Sequence, residues 1–459
     1  MALILSRQPG WWMLPTVGTL ARVPASGGAP REIAENVVYA DWSPDGAQLA
    51  VVRQLGGGQV LEYPLGTRLY QSPGFIGMPK ISPRGDLLAF IDSANADWYG
   101  TIVVLDTQGR KRMAAPDSAA WGFVWSPDGS EIRFCGAESG LDASIKAIDL
   151  AGKLRTILPM AGFHILLDGT SDGRLLVLRD GASAAMYFHR PGAAGADLYW
   201  HDLSMLRDLS ADGSQILFSE GGASQTTDFM TYLRPTDGSP AVLLGLGLAS
   251  ALSPDGRWAM LSPTGPKAPL LGFPTRAGST QTLAGGEIRH FAGRWLPDAK
   301  RIVFAGSEPG HLLRYYVQDS PSSAPRPISG ENIAFDRYMD PIAISPDGKQ
   351  VAATIEGSGI ELLPVDAGKP QPVPGTTGFA PVAWCRDGGI LMYHPQQIPA
   401  QVLRVDPQTG GQRPWKTILP ADRTALGSIG PIRFTPDCQT YAYSATYDPS
   451  TLLVVSGAR

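Results

Sequence analysis

The sequence predicts an all-β protein made of repeated four-stranded units, and three observations carry that expectation. The first is a turn phrase, Trp42-Ser43-Pro44-Asp45-Gly46, in which each residue suits a tight hairpin. Proline pre-sets φ for the first central position, aspartate bonds nearby backbone, and glycine takes the φ > 0 corner into the next strand. The second is the alternating apolar run at 48–52 that follows it, the period-2 mark of a half-buried strand. The third is recurrence. The aspartate position of the phrase returns at 84, 128, 172, 212, 255, 298, 347, 387 and 437, at spacings of 39 to 50 residues. A period of this size with short strands and no 3.6-residue periodicity is the mark of β-propeller blades.

Composition agrees. The chain has 459 residues, too many for one ordinary compact domain, but a propeller grows by adding blades about one axis. Its 54 Gly and 40 Pro suit many short strands joined by turns, while 43% hydrophobic residues supply a core that low-complexity sequence lacks.

Taken in order, the opening resembles the later part of a blade: strands over 2–6, 18–23 and 30–34, with upstream sequence expected to supply what precedes them. The third unit shows the pattern most clearly, with strands ending at Trp125 and then over 131–135, 144–150 and 154–158. Trp42, Trp125, Trp295 and Trp384, each just before its turn, are expected to pack between blades. The stretch 186–200 has little clean alternation. Ten blades exceed what one ring holds, so two tandem propellers are expected: residues 1–196, incomplete at the start, and a six-bladed one over 197–459. The last unit has strands over 432–434, 440–445 and 451–455 and no fourth. An open edge needs covering, and 197–203 is the expected closing strand.

The repeated phrase resembles the TolB-type (WD-like) β-propeller repeat over nearly the whole chain. Several phrases also resemble the propeller region that follows the kinase domain in bacterial eukaryotic-like serine/threonine kinases: Gly18-Thr19-Leu20-Ala21-Arg22-Val23-Pro24, Glu62-Tyr63-Pro64-Leu65-Gly66 and Asp237-Gly238-Ser239-Pro240. That resemblance implies a sensory or docking module outside the cytoplasm. The sequence departs from kinases themselves: His189-Arg190 is followed by Pro191, and neither a Gly-x-Gly-x-x-Gly loop nor Asp-Phe-Gly occurs. Without the parts that position ATP and metal, phosphoryl transfer is not expected.

Other chemistry is weighed and set aside. The α/β domain that prolyl-oligopeptidase-type propellers carry would need further residues beyond the repeats, so a hydrolase is not expected. The six histidines are scattered, so no catalytic residue, metal site or cofactor is expected, although an axial metal enzyme and a TolB-like envelope scaffold remain alternatives. Net charge −4 gives no field for nucleic acid. No run of 18 apolar residues crosses a bilayer, and no export signal is visible, which as written places the chain in the cytoplasm. Cys135, Cys385 and Cys438 form no C-x-x-C pair and an odd number, so neither disulfide nor zinc is expected. The turn phrases and third-to-fourth-strand turns should share one face. The opposite face should then present Trp98, Tyr99, Tyr199, Trp200, His201, His311, Arg337 and Tyr338, residue types enriched at binding hot spots, toward a protein or peptide partner or a small ligand.

Overall fold

In a computed structural model, strands and turns make up the whole of the described chain. The structure describes all residues except 1, 6–16, 25, 56–57, 94–98, 137–142, 161, 180, 182, 193–194, 199–202, 222–228, 263–267, 332, 336–338, 340 and 458–459. Two compact units divide it: Met1–Gly181 with Ser450–Arg459, and Ala182–Pro449.

Most turn phrases fold into the same clasp; those at Leu296 and Cys385 lack its hydroxyl. In the first, Gly46 N–H donates to the Ser43 carbonyl at 2.8 Å and Ser43 N–H to the Gln48 carbonyl at 2.9 Å. The Ser43 hydroxyl donates to Asp45 Oδ1 at 2.5 Å and accepts from Gln48 N–H at 2.8 Å, while Asp45 Oδ1 also accepts from Ala47 N–H. One hydroxyl and one carboxylate thus satisfy the backbone donors that a hairpin turn leaves open. The pattern returns at Ser126–Asp128, Ser210–Asp212, Ser253–Asp255, Ser345–Asp347 and Thr435–Asp437. Where Arg84 replaces the aspartate, Asp86 takes the bond from Ser82.

In the first unit the strands Ala2–Leu5, Gly18–Arg22 and the start of Arg31–Trp42 pair in sequence (sheet N1). Arg31–Trp42 then runs on, past Asn36 at φ 57°, to pair with Leu49–Leu55 as the innermost strand of sheet N2. The expected fourth strand of one blade and first strand of the next are therefore one continuous segment. Sheet N2 adds Gly58–Glu62 and Arg68–Ser72. Sheet N3 holds Phe75–Ile81, Leu87–Ser93, Tyr99–Asp106 and Lys111–Ala119, and sheet N4 holds Trp121–Trp125, Glu131–Gly136, Ser144–Asp149 and Leu154–Leu158. Sheet N5 holds His164–Gly169 and Leu175–Arg179, and its third strand comes from the far end of the chain, Thr451–Val455.

The second unit has six sheets among the described residues. Sheet C1 starts at Leu203–Leu209, C2 at Leu248–Leu252, C3 at Arg289–Trp295, C4 at Ile342–Ile344 and C5 at Ala380–Trp384, each a four-stranded antiparallel meander. Sheet C6 holds Leu426–Phe434 and Tyr441–Tyr447, completed by Ser183–His189 and Ala196–Asp197 from the start of the unit. Six apolar clusters join neighbours in turn. Leu217, Leu233, Leu252 and Leu261 join C1 to C2; Met260, Leu283, Trp295 and Phe304 join C2 to C3; Val303, Tyr315, Ile342 and Val351 join C3 to C4. Ala352, Leu362, Ile390 and Met392 join C4 to C5; Leu391, Val402, Ile432 and Tyr443 join C5 to C6. Met186, Phe188, Leu206 and Phe218 return C6 to C1, so the ring is closed. The fold is a β-propeller. Trp125 and Trp295 sit in inter-sheet clusters, and Trp125 Nε1 donates back to the Lys80 carbonyl of the preceding sheet, N3, at 3.0 Å.

Three expectations are corrected. The strand that closes C6 is Ser183–His189, ahead of 197–203, because it is apolar on both sides: Met186 and Phe188 face C1 while Tyr187 stacks on Tyr443 at 5.0 Å. Burial of both faces erases the alternation that marks a strand in sequence. Thr451–Val455 is not the third strand of C6, whose third place Ser183–His189 occupies, and it pairs with Leu175–Arg179 instead. On the far face of N5, Leu452 and Val454 are 61% and 65% exposed.

Third, Cys385 and Cys438 form a disulfide, 53 residues apart, that ties the turn of C5 to the turn of C6. Their spacing gives no sign of it because each stands in a turn phrase, at the serine and glycine places, and only ring closure makes those turns neighbours. Cys438 keeps the φ of 59° that glycine takes elsewhere, a conformation that costs a non-glycine residue roughly 1–2 kcal/mol. Cys135 is buried in N4, and burial pushes its thiol up to about 12.

Two outcomes are expected. Replacing the disulfide by Cys385→Ser with Cys438→Ala should lower unfolding free energy by about 2–4 kcal/mol, and pairing Cys385→Ser with Cys438→Gly should lose less, both read by urea unfolding. The Ser126 and Ser210 hydroxyls hold the Asp128 and Asp212 carboxyls down at about 2. Their folded values lie below the unfolded value of about 4, so this stability is present above pH 4 and lost as pH falls through 2. Ser210→Ala should cost about 1 kcal/mol at neutral pH, with the difference narrowing as pH falls through 2 and a remainder left by the lost bond from the Gln215 amide.

Candidate functional site

Two places before the turn residue, several innermost strands carry a charged residue. In the first unit these residues are Asp41, Lys80 and Asp168; in the second they are Asp208, Arg294 and Arg433. Asp41 Oδ2 accepts from the Ile81 amide of the next sheet at 3.0 Å, and Asp208 Oδ2 accepts from the Leu252 amide of its next sheet at 2.8 Å. The same residue thus makes the same sheet-to-sheet bond in both units. A cation stands beside each: Lys80 Nζ lies 3.3 Å from Asp41 and Arg294 3.5 Å from Asp208. Burial nonetheless pushes the Asp41 carboxyl above its usual range, with Lys80 opposing the shift.

Arg294 belongs to C3 and Asp208 to C1, so this pair reaches past C2 through the middle of the ring. Arg433 of C6 donates to the Arg207 carbonyl of C1 at 2.9 Å and to the Met339 carbonyl ahead of C4 at 3.0 Å. Arg207 itself is fully buried and donates to the Ala249 carbonyl of C2 at 2.7 Å. These arginines are braces between innermost strands. In the first unit the innermost strands line an open recess of about 190 Å³, with Tyr39, Met78, Lys80, Phe123, Ile165 and Leu167 on its walls. Among the described residues no three His, Cys, Asp or Glu side chains gather as a metal-ligand group.

A larger recess lies on the turn-phrase face of the second unit, between C4 and C5. It is a groove of about 580 Å³, within the range of small-ligand sites. One wall is Trp384, whose Nε1 donates to the Gly388 carbonyl at 3.0 Å and whose ring packs against the C4–C5 cluster. Beside it are Arg386, in the place of the turn proline, and Cys385 of the disulfide. Arg386 N–H donates to the Pro436 carbonyl of C6 at 2.9 Å, so this wall is held from behind. The other wall is C4, with Gln350, Gln371 and Pro372; the Pro407-Gln408 turn closes one end. Asp347 is consumed by its own clasp, accepting from the Ser345 hydroxyl at 2.7 Å and the Lys349 amide at 3.1 Å.

Most of the expected binding loops lie outside the described residues: Trp98, Tyr199, Trp200, His201, Arg337 and Tyr338. Tyr99 begins a strand of N3. His311 is exposed on the C3 loop, its Nδ1 2.7 Å from Glu331 Oε1, and this bond to His311 holds the Glu331 carboxyl below its usual range. Arg314 pairs with Glu308 at 2.6 Å nearby and covers the Tyr316 ring. In the sequence Trp384 fits the inter-sheet packing role, which hides the groove. A signal was available: Trp384-Cys385-Arg386-Asp387-Gly388 breaks the repeat at the serine and proline places together. Its aspartate is held by Arg404 at 2.5 Å instead of a hydroxyl.

One further phrase, Gly169-Thr170-Ser171-Asp172-Gly173, spells the Gly-x-Ser-x-Gly pattern of a nucleophile elbow. In the structure it is a hairpin turn between His164–Gly169 and Leu175–Arg179, with Gly173 N–H bonded to the Thr170 carbonyl. The elbow needs a strand-to-helix turn, which this is not.

No protein-family model matches the chain, and no curated protein matches it. Among solved structures it is similar to TolB from Acinetobacter baumannii, at 15% identity and a TM-score of 0.29, covering 70% of this chain and 80% of that one. It is similar to the tricorn protease at 13% identity and a TM-score of 0.37, covering 99% of this chain and 63% of that one. The β-propeller domain of the Trilobed protease from Pyrococcus furiosus matches at 14% identity and a TM-score of 0.24, covering 72% and 99%. Likenesses at this level transfer no activity, ligand or partner to this chain.

Asp208→Ala should leave the Leu252 amide without its acceptor and cost about 1–3 kcal/mol. Hydrogen exchange checks it: protection should fall first at Leu252 and its neighbours in C2.

Proposed function

We propose that this chain is a non-catalytic recognition module, a sensory or docking propeller of a signalling protein that holds a peptide, protein segment or small ligand. The observation that carries the reading is the C4–C5 groove, where an indole is fixed by its own turn and the wall behind it is braced by a disulfide. Preorganised walls lower the ordering cost of binding, and the repeated aspartates, being spent on clasps, are not a catalytic set.

The phrases resembling kinase-associated propellers support the signalling context, and the division into two compact units supports tandem propellers. The Cys385–Cys438 bridge supports an oxidising compartment, since such bonds persist there and are rare in reducing cytosol.

The test is a melting-temperature screen of peptides and small molecules on wild type and Trp384→Ala. The expected result is at least one compound that raises the wild-type transition and leaves the variant unmoved. Equal shifts in both proteins would place binding elsewhere, and no shift with any compound would remove the reading.

A further inference from the structure

The chemistry of the C4–C5 groove narrows the ligand class, on the reading that this groove is the binding site. Its wall groups include an indole and three carboxamides. Among the described residues no hydrogen bond engages the side chains of Gln350, Gln371 or Gln408, whose only bonds are through their backbone. A carboxamide both donates and accepts, which suits a ligand whose groups also do both. Two charges of opposite sign line the groove, the Asp347 carboxylate, which its clasp keeps ionised, and the Arg386 guanidinium. They offset one another, so an anionic phosphate or an acidic peptide would meet no net field of either sign.

The backbone rules out strand addition as well. The outermost strand of C4 is only Gln371–Pro372, and proline cannot donate to an added strand. What remains is a flat apolar indole beside neutral donor–acceptor groups in an open groove. We infer that the groove binds a neutral oligosaccharide, with one pyranose C–H face on Trp384 and its hydroxyls bonded to the carboxamides of Gln350, Gln371 and Gln408. Pro346, Pro372 and Pro407 stiffen the rims, and the Cys385–Cys438 bridge holds the Trp384 wall while the sugar is bound.

The experiment is isothermal titration of the intact protein with β-1,4-linked glucose and N-acetylglucosamine oligomers and with α-1,4-linked glucose oligomers. A proline-rich peptide and inorganic phosphate serve as comparison arms. Binding of at least one oligosaccharide series is expected, insensitive to salt because no ion pair forms. Trp384→Ala should weaken it at least about tenfold, and Trp384→Phe should restore part of it. Gln371→Ala with Gln408→Ala, both exposed, should weaken it while leaving the melting temperature unchanged, which covers the case of a Trp384→Ala protein that misfolds. No saccharide binding, or saccharide binding unaffected by these variants, overturns the assignment. Peptide or phosphate binding lost in the same variants would also overturn it, while leaving the groove as the site.

Discussion

The backbone bond that each turn makes across its hairpin fixes register, and the packing of the sheets depends on register. Side chains alternate faces along a strand, so a slip of one residue would turn an entire buried set to the opposite side. The clasp prevents the slip by pairing its serine N–H with a set carbonyl across the hairpin, as Ser43 does with Gln48 and Ser210 with Gln215. With the first two strands of a sheet locked, the charged residue two places before the turn falls in place. Asp41 and Asp208 then meet the amide of the next sheet in their respective units.

Packing between sheets follows from the same alternation. Neighbouring sheets share an apolar cluster, so residues on both faces of the second strands, such as Leu217 and Phe218 or Val303 and Phe304, are buried in different clusters. A meander alone leaves the last sheet short. In the second unit the remedy is Ser183–His189, entering C6 from the start of that unit; in the first it is Thr451–Val455, entering N5 from the end of the chain. Each unit is therefore completed by strands remote in sequence, and the disulfide adds a covalent tie where C5 meets C6.

The groove arises where the repeat is interrupted. Arg386 in the proline place and Cys385 in the serine place remove the ordinary clasp from one turn, and Arg404 supplies the aspartate's partner instead. The Trp384 indole is thereby held by the turn's own carbonyl at Gly388. Departures from a repeat's local rules concentrate where a chain does something besides fold, and here two adjacent departures and a disulfide stand on one wall.

The sequence by itself determined the repeat, the turn chemistry and the all-β class, because clasps and alternation are interactions among residues a few places apart. Several of the strands it named also lie within a residue or two, as over Glu131–Gly136 and Leu154–Leu158. The closing strands, the Cys385–Cys438 pairing and the C4–C5 groove were decided by tertiary structure. Ser183–His189 is buried on both faces and so lost the alternation that would have marked it. The cysteines and the groove walls are adjacent only because the ring carries one turn beside the next, a proximity between residues tens of places apart that no local pattern encodes.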